Sequence, residues 1–251
     1  MTQLRLFCVL SFVVLSGFLI QPAKITVYLI GDSTMANKPP RVFPETGWGM
    51  PFAYFFDSTV VVDNRAKNGR STRTFISENL WQPVVDHLKA GDYVFIQFGH
   101  NDESKEKTDR YTTPDEYKNN LIKFVSETRA KGATPVLITP VARRKFVDGK
   151  IQDTHLEYSA LVREVADQQK VVLIDLDVKS KALLQQFGEE NSKLLFLQML
   201  PGEHPNYPDG KNDNTHFSEL GARKIAQIVL AEIKAQRLGL SDRIIKPVKK
   251  I

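Results

Sequence analysis

The chain has 251 residues, 42% of them hydrophobic and 25% charged, with a formal charge of +5. That supports one core of ordinary size, at most two small ones, with the surface of a globular protein. Its Lys and Arg are scattered apart from Arg143-Arg144-Lys145 and the tail Lys246 to Lys250, a solvated basic surface rather than a nucleic-acid footprint, though one compatible with acidic polysaccharide.

In chain order, Arg5 precedes the apolar stretch Leu6 to Ile20, which carries no polar face. This is the pattern of a secretory signal peptide over residues 1–23, too short for a transmembrane span. No small-x-small pair marks the cleavage site, so an uncleaved amino-terminal anchor is the other reading. The single cysteine, Cys8, lies inside the leader, so the mature chain 24–251 is expected to have no disulfide and no thiol chemistry. The expected destination is the periplasm or the outside of a bacterial cell.

The apolar run Ile25–Ile30 reads as a buried strand, followed at once by Gly31-Asp32-Ser33-Thr34-Met35. Further strands are expected at Val60–Asp63, Tyr93–Phe98, Pro135–Thr139 and Val171–Asp175. Helices are expected over Pro114–Lys131, Thr154–Gln169 and Ser218–Arg237. In the first of these, Pro114 suits the opening turn, Asp115 and Glu116 complement the dipole, and Gly132 ends it. The segments around Pro39-Pro40 and Pro201 to Pro208 read as loops, and the tail from Leu238 as loosely ordered. Strands separated by helices imply βαβ units, and hence a three-layer α/β/α sandwich on a five-stranded, mostly parallel, flavodoxin-like sheet.

In a parallel sheet every strand ends on the same edge, and ligands bind there. Ser33 follows the first strand, Gly69 lies beyond the second, Asn101 follows the third, and Asp213 and His216 lie beyond the fifth, in a loop feeding the last helix. A serine needs a base within hydrogen-bond reach, and the base needs an orienting carboxylate. Ser33, His216 and Asp213 fit those roles. The backbone N–H groups of Ser33 and Gly69 and the side-chain amide of Asn101 are three donors for an oxyanion. The chemistry expected is ester hydrolysis by a serine nucleophile.

Other residues carry two readings. Asp32 braces the turn. His100 is a structural histidine, and His87, His155 and His204 are surface or loop residues. Trp48 is either a wall for a sugar ring or part of the core. Arg70 and Arg73 either meet a uronate carboxylate or hold their loop by internal ion pairs. Glu203, His204, Asp209, Asp213 and His216 make an acidic, histidine-rich stretch, but without metal-binding spacing, and Asp209 to Asp213 fails as a calcium loop. No dinucleotide or phosphate-loop pattern follows the first strand, and the lipase-type Gly-x-Ser-x-Gly is absent.

The ordered set Gly31-Asp32-Ser33, Asn68-Gly69-Arg70-Ser71, Gly99-His100-Asn101-Asp102 and Asp213-x-x-His216 resembles the GDSL/SGNH hydrolase superfamily. Within it, Gly47-Trp48-Gly49-Met50, Gly69 to Phe75 and Asp213 to Phe217 are most similar to rhamnogalacturonan acetylesterases. The resemblance implies the SGNH fold and removal of O-acetyl groups from pectic rhamnogalacturonan without metal or cofactor. It also implies Ser33, Asp213 and His216 as catalytic residues, with Gly69 and Asn101 in the oxyanion hole. The implied partner is an acetylated poly- or oligosaccharide, with no nucleic acid and no stable membrane association once the leader is removed. The alternatives are an acetylxylan or other GDSL-type esterase or lipase, and a non-catalytic glycan-binding protein.

Overall fold

A computed structural model describes residues 23–246. The expected leader, apart from Ala23, lies outside the described residues, as does the chain from 247 on. The strands are β1 (Ile25–Gly31), β2 (Val60–Asn64), β3 (Tyr93–Gln97), β4 (Thr134–Ile138), β5 (Phe146–Val147), β6 (Lys150–Ile151), β7 (Val172–Ile174), β8 (Phe196–Met199) and β9 (Lys211–Phe217). The helices are α1 (Gly49–Phe52), α2 (Thr72–Ser77), α3 (Gln82–His87), α4 (Pro114–Ala130), α5 (Leu156–Gln169), α6 (Leu176–Asn191) and α7 (Glu219–Ala235).

The central sheet has the order β2-β1-β3-β4-β7, and every pairing in it is parallel. This is the expected five-stranded, flavodoxin-like arrangement, with the strands within two residues of the ranges read from sequence. Successive strand side chains point to opposite faces. Val27 and Leu29 therefore join Phe95, Val136 and Ile174 in one apolar layer, closed by Trp48, Phe52 and the inner face of α7 (Ile225, Val229, Ile233). Tyr28 and Ile30 join Val94, Ile96 and Leu137 in the other, closed by Phe75, Val84, and Leu121 and Phe124 of α4. A one-residue slip of β1 would exchange these sets, so the two buried faces fix its register.

The helix signals hold to within two residues. Thr113 caps α4 through its side chain, with Pro114 in the first turn and Asp115 and Glu116 after it. Ser218 is the cap of α7, accepting from the Gly221 N–H at 3.2 Å, so that helix begins one residue later than expected.

Two expectations are corrected. The tail is packed, not loose, as far as it is described: Leu240 is fully buried, and Ile244 bridges to Phe56. Residues 211–217 are a strand rather than a loop, paired antiparallel with β8. The polar run Lys211-Asn212-Asp213-Asn214-Thr215 has no apolar alternation, so only its pairing with β8 reveals it as extended.

Candidate active site

The turn after β1 is built on Asp32. Its Oδ1 accepts the Thr34 N–H at 2.9 Å and the Thr34 hydroxyl at 2.8 Å, bracing the residues on either side of Ser33. Below it, the Thr34 hydroxyl accepts from Gln97 Nε2 at 2.7 Å, and Gln97 Oε1 accepts from the Trp48 indole at 2.6 Å. Trp48 reaches this position because Gly47 lies against the turn; a Cβ on Gly47 would stand 2.0 Å from the Ala36 carbonyl oxygen. The Gly47-Trp48-Gly49 segment is thus the floor beneath Ser33.

Asp213 and His216 come together through a bulge. Phe196 pairs with Phe217, yet its neighbour Leu197 pairs with Asp213, so Asn214, Thr215 and His216 have no partner on β8. A bulge of this kind re-aims side chains. The N–H groups of Thr215 and His216 turn instead to Asp213 Oδ1, at 2.8 and 3.0 Å. The other carboxylate oxygen, Oδ2, lies 2.8 Å from His216 Nδ1, and His216 Nε2 lies 2.9 Å from Ser33 Oγ. Burial drives the Asp213 carboxyl upward. The hydrogen bond and charge of His216, with the two backbone N–H groups, outweigh it and hold the group well below the usual carboxylate range. An ionised orienter, an imidazole and a hydroxyl therefore stand in line.

Two arginines grip the bulge from the segment between β4 and β5. The Arg144 N–H donates to the Asn214 carbonyl at 2.8 Å, and Arg144 Nη1 donates to Asn214 Oδ1 at 3.1 Å. Arg143 Nη1 donates to the Thr215 hydroxyl at 2.6 Å, while its Nη2 reaches the His100 carbonyl at 3.4 Å and Glu103 at 3.5 Å. The sequence showed these arginines only as part of a basic cluster.

Gly69, beyond β2, and Asn101, beyond β3, come from the strands on either side of β1 and meet past its carboxyl end. Lys67, at the end of β2's extension, donates its N–H to the Gly31 carbonyl, and the Asn101 amide donates to the Arg70 carbonyl at 3.0 Å. That leaves the second amide hydrogen of Asn101 for another acceptor. Gly69 has φ +74°, a conformation other residues rarely adopt. The preceding Asn68 accepts from Lys38 Nζ at 2.8 Å, and Lys38 also pairs with Glu45 at 2.6 Å. The Lys38 side chain is only 1% exposed, and burial lowers its pKa against the opposing pull of Glu45. Asp102 holds the start of α2, accepting the Thr72 N–H at 2.9 Å and its hydroxyl at 2.6 Å.

Several single-residue readings change or resolve. Trp48 is fully buried and cannot present a face to a sugar; of its two readings, the core one holds. Arg70 is committed to Glu78 at 2.8 Å and to the Asn68 carbonyl, and Arg73 to Glu116 and the Tyr111 carbonyl, so both serve internal contacts. His155 is not at the surface. It is buried, bonds Glu103 at 2.9 Å and packs edge-on against His100 at 4.2 Å. Burial, with His155 and Arg143 nearby, holds His100 well below the ordinary histidine range, consistent with a neutral structural side chain. Lys38, Arg143, Arg144 and Arg110, described below, were not legible as site residues, because nothing in their neighbours in sequence marks what they touch.

Comparison with known proteins agrees with this geometry. The GDSL-like Lipase/Acylhydrolase family matches residues 29–224. The chain is 43% identical over 222 residues to rhamnogalacturonan acetylesterase RhgT of Bacillus subtilis (strain 168), covering 88% of this chain and 94% of the relative. It is 37% identical to the probable rhamnogalacturonan acetylesterase YesY of the same organism, over 88% of this chain and 97% of that one. The crystal structure of protein YXIM from Bacillus subtilis superposes with a TM-score of 0.74 at 28% identity, over 87% of this chain and 59% of that longer chain. The extent of these matches shows that the chain belongs to the GDSL-like lipase/acylhydrolase family and is a carboxylic ester hydrolase.

Proposed function

We propose that the protein is a serine carbohydrate esterase that removes O-acetyl groups from plant cell-wall polysaccharide, with pectic rhamnogalacturonan as its substrate. The observation that carries the reading is the continuous line from Asp213 Oδ2 through His216 to Ser33 Oγ, at 2.8 and 2.9 Å. The substrate is suggested by the two relatives named for that activity.

In this reading His216 Nε2 takes the Ser33 proton as Oγ adds to the acetyl carbonyl carbon. The negative charge that forms on the carbonyl oxygen is met by the N–H groups of Ser33 and Gly69 and by the Asn101 amide hydrogen not used on Arg70. As the C–O bond to the sugar breaks, His216 returns the proton to the sugar oxygen and leaves acetyl-Ser33. Water, deprotonated by His216, then attacks that ester, and acetate departs as Ser33 regains its proton. Asp213 holds Nδ1–H throughout and stabilises the imidazolium that forms twice per turnover. The apolar stretch Leu6 to Ile20, read as a leader, supports action outside the cytoplasm as part of this reading.

The test is acetate release by the protein and its Ser33→Ala variant, with acetylated rhamnogalacturonan and acetylated xylan supplied in parallel and chelator present. Serine-dependent release from the pectic polymer is expected. Release from xylan alone overturns the substrate and keeps the chemistry. Serine-independent release overturns the mechanism, and glycan binding without release would favour a lectin-like protein.

A further inference from the structure

We infer that Arg110 is the residue by which this site selects an anionic substrate: its guanidinium, lying over Gly69, meets the carboxylate of a uronic acid beside the ester under attack. The inference rests on the esterase reading above and names a recognition element that reading lacks.

The placement comes from Gly69. A Cβ on that residue would stand 3.1 Å from Arg110 Nη1, and no other atom comes as near. The guanidinium thus covers the loop that offers its backbone N–H to the acyl site. Arg110 belongs to the connection between β3 and α4, which is tied at both ends. The Thr112 N–H donates to the Asp102 carbonyl at 3.0 Å, Tyr158 donates to the Thr112 carbonyl, and the N–H groups of Arg110 and Tyr111 both return to Lys107. Thr112 is fully buried. A side chain carried on so anchored a segment loses little further freedom on binding.

The electrostatics separate Arg110 from the other arginines nearby. Arg70 and Arg73 have carboxylate partners, Glu78 just past the end of α2 and Glu116 in the first turn of α4. Among the described residues Arg110 pairs only with its neighbour Asp109, through Nε at 3.3 Å and Nη2 at 3.2 Å, and Asp109 is 68% exposed. An exposed pair between adjacent residues is weak and exchanges readily. Among the described residues Nη1 has no hydrogen-bond acceptor, and it is the nitrogen that faces Gly69. The Arg110 side chain itself is 29% exposed, so it is partly desolvated yet reachable from solution. Lys67, Asn68 and Arg70, the residues on either side of Gly69 in the chain, line a groove together with Asn37 and Asn64, so the neighbourhood of Gly69 offers hydrogen-bond donors and the Lys67 charge. A planar guanidinium with an open edge matches a carboxylate, and a neutral sugar presents no group that would use it as well.

The experiment compares substrates that differ only in the carboxylate. The acetylated methyl glycoside of galacturonic acid, its C6 carboxylate free, and acetylated methyl galactoside would be measured with the native protein, Arg110→Gln and Arg110→Lys, alongside acetylated rhamnogalacturonan and its carboxyl-reduced form. The native protein is expected to favour the charged member of each pair by about 10- to 100-fold in kcat/KM, the range for a hydrogen bond to a charged group. Arg110→Gln is expected to bring that ratio close to one, mainly through KM, and Arg110→Lys to keep part of it. A ratio that does not change in Arg110→Gln, or an equal proportional loss on charged and neutral substrates, overturns the inference. The two readings fail separately. No release from the polymer with the monosaccharide preference intact would discard the pectic substrate and keep the role of Arg110. Polymer cleavage indifferent to the carboxyl would do the reverse.

Discussion

Arg143 Nη1 donates to the Thr215 hydroxyl at 2.6 Å, joining two residues 72 positions apart in the chain. Through Nη2 the same guanidinium reaches the carbonyl of His100, the residue before Asn101. One side chain therefore ties the bulge that carries His216 to the loop that carries the oxyanion donor. Arg143→Met is expected to lower kcat about 10- to 100-fold with KM changed far less, since a shift on the order of 1 Å between reacting groups costs that much. Adding Thr215→Val should cost little more, because both changes break one contact. Additive losses, or a loss confined to KM, would show that Arg143 does not position the strand.

Trp48, Gln97, Thr34 and Asp32 form a buried hydrogen-bonded chain beneath Ser33. Trp48→Phe keeps the apolar bulk but leaves Gln97 Oε1 without its donor. The expected cost is about 1–3 kcal/mol of stability, the penalty for an unsatisfied buried acceptor. Urea unfolding of the two proteins measures it, and a loss below about 0.5 kcal/mol would mean that Gln97 finds another partner.

Asp213 stays ionised because its carboxyl lies well below the usual range. The sign follows: a depressed folded-state pKa stabilises the fold above the unfolded value, and that stability is lost only as strongly acidic solution protonates the group. The acid limb of the rate profile should therefore carry no contribution from protonation of Asp213 short of strongly acidic pH. Asp213→Asn removes the anion that supports imidazolium and is expected to cut kcat by about 10³- to 10⁴-fold with the fold retained. An acid limb steeper than one proton would contradict a permanently ionised Asp213.

Asp102 behaves in the opposite way. Burial pushes its carboxyl up to about 7, against the hydrogen bonds from Thr72. A raised carboxyl pKa means that the folded state holds a proton the unfolded state has released. Stability from this group is thus present at acidic pH and lost as pH rises from the ordinary carboxylate range to about 7. Asp102→Asn, which mimics the protonated acid, should remove that loss, so the variant gains on the native protein by a few kcal/mol between pH 4 and 8. Parallel pH–stability curves would refute the assignment.

The sheet was legible because its signals are local. β1 is a short apolar run closed by Gly31, and β3 and β4 are similar runs bounded by turn residues, so each could be read without its neighbours. Helix α4 announced itself through Pro114, Asp115, Glu116 and Gly132. The bulged strand β9 was not legible, because its residues are polar and its conformation is imposed by pairing with β8 and by Arg143 and Arg144.

The sequence by itself determined the architecture and the candidate residues Ser33, Gly69, Asn101, Asp213 and His216, since hydrophobic period sets the first three just past the ends of parallel strands and the Asp-x-x-His spacing marks the last two. It left Trp48, Arg70 and Arg73 with two readings each, and it gave no sign of what Lys38, Arg110 or Arg143 touch. Tertiary structure alone decided those. Whether an indole is wall or floor, or a guanidinium is already paired, depends on contacts between residues far apart in the chain, which no local pattern encodes.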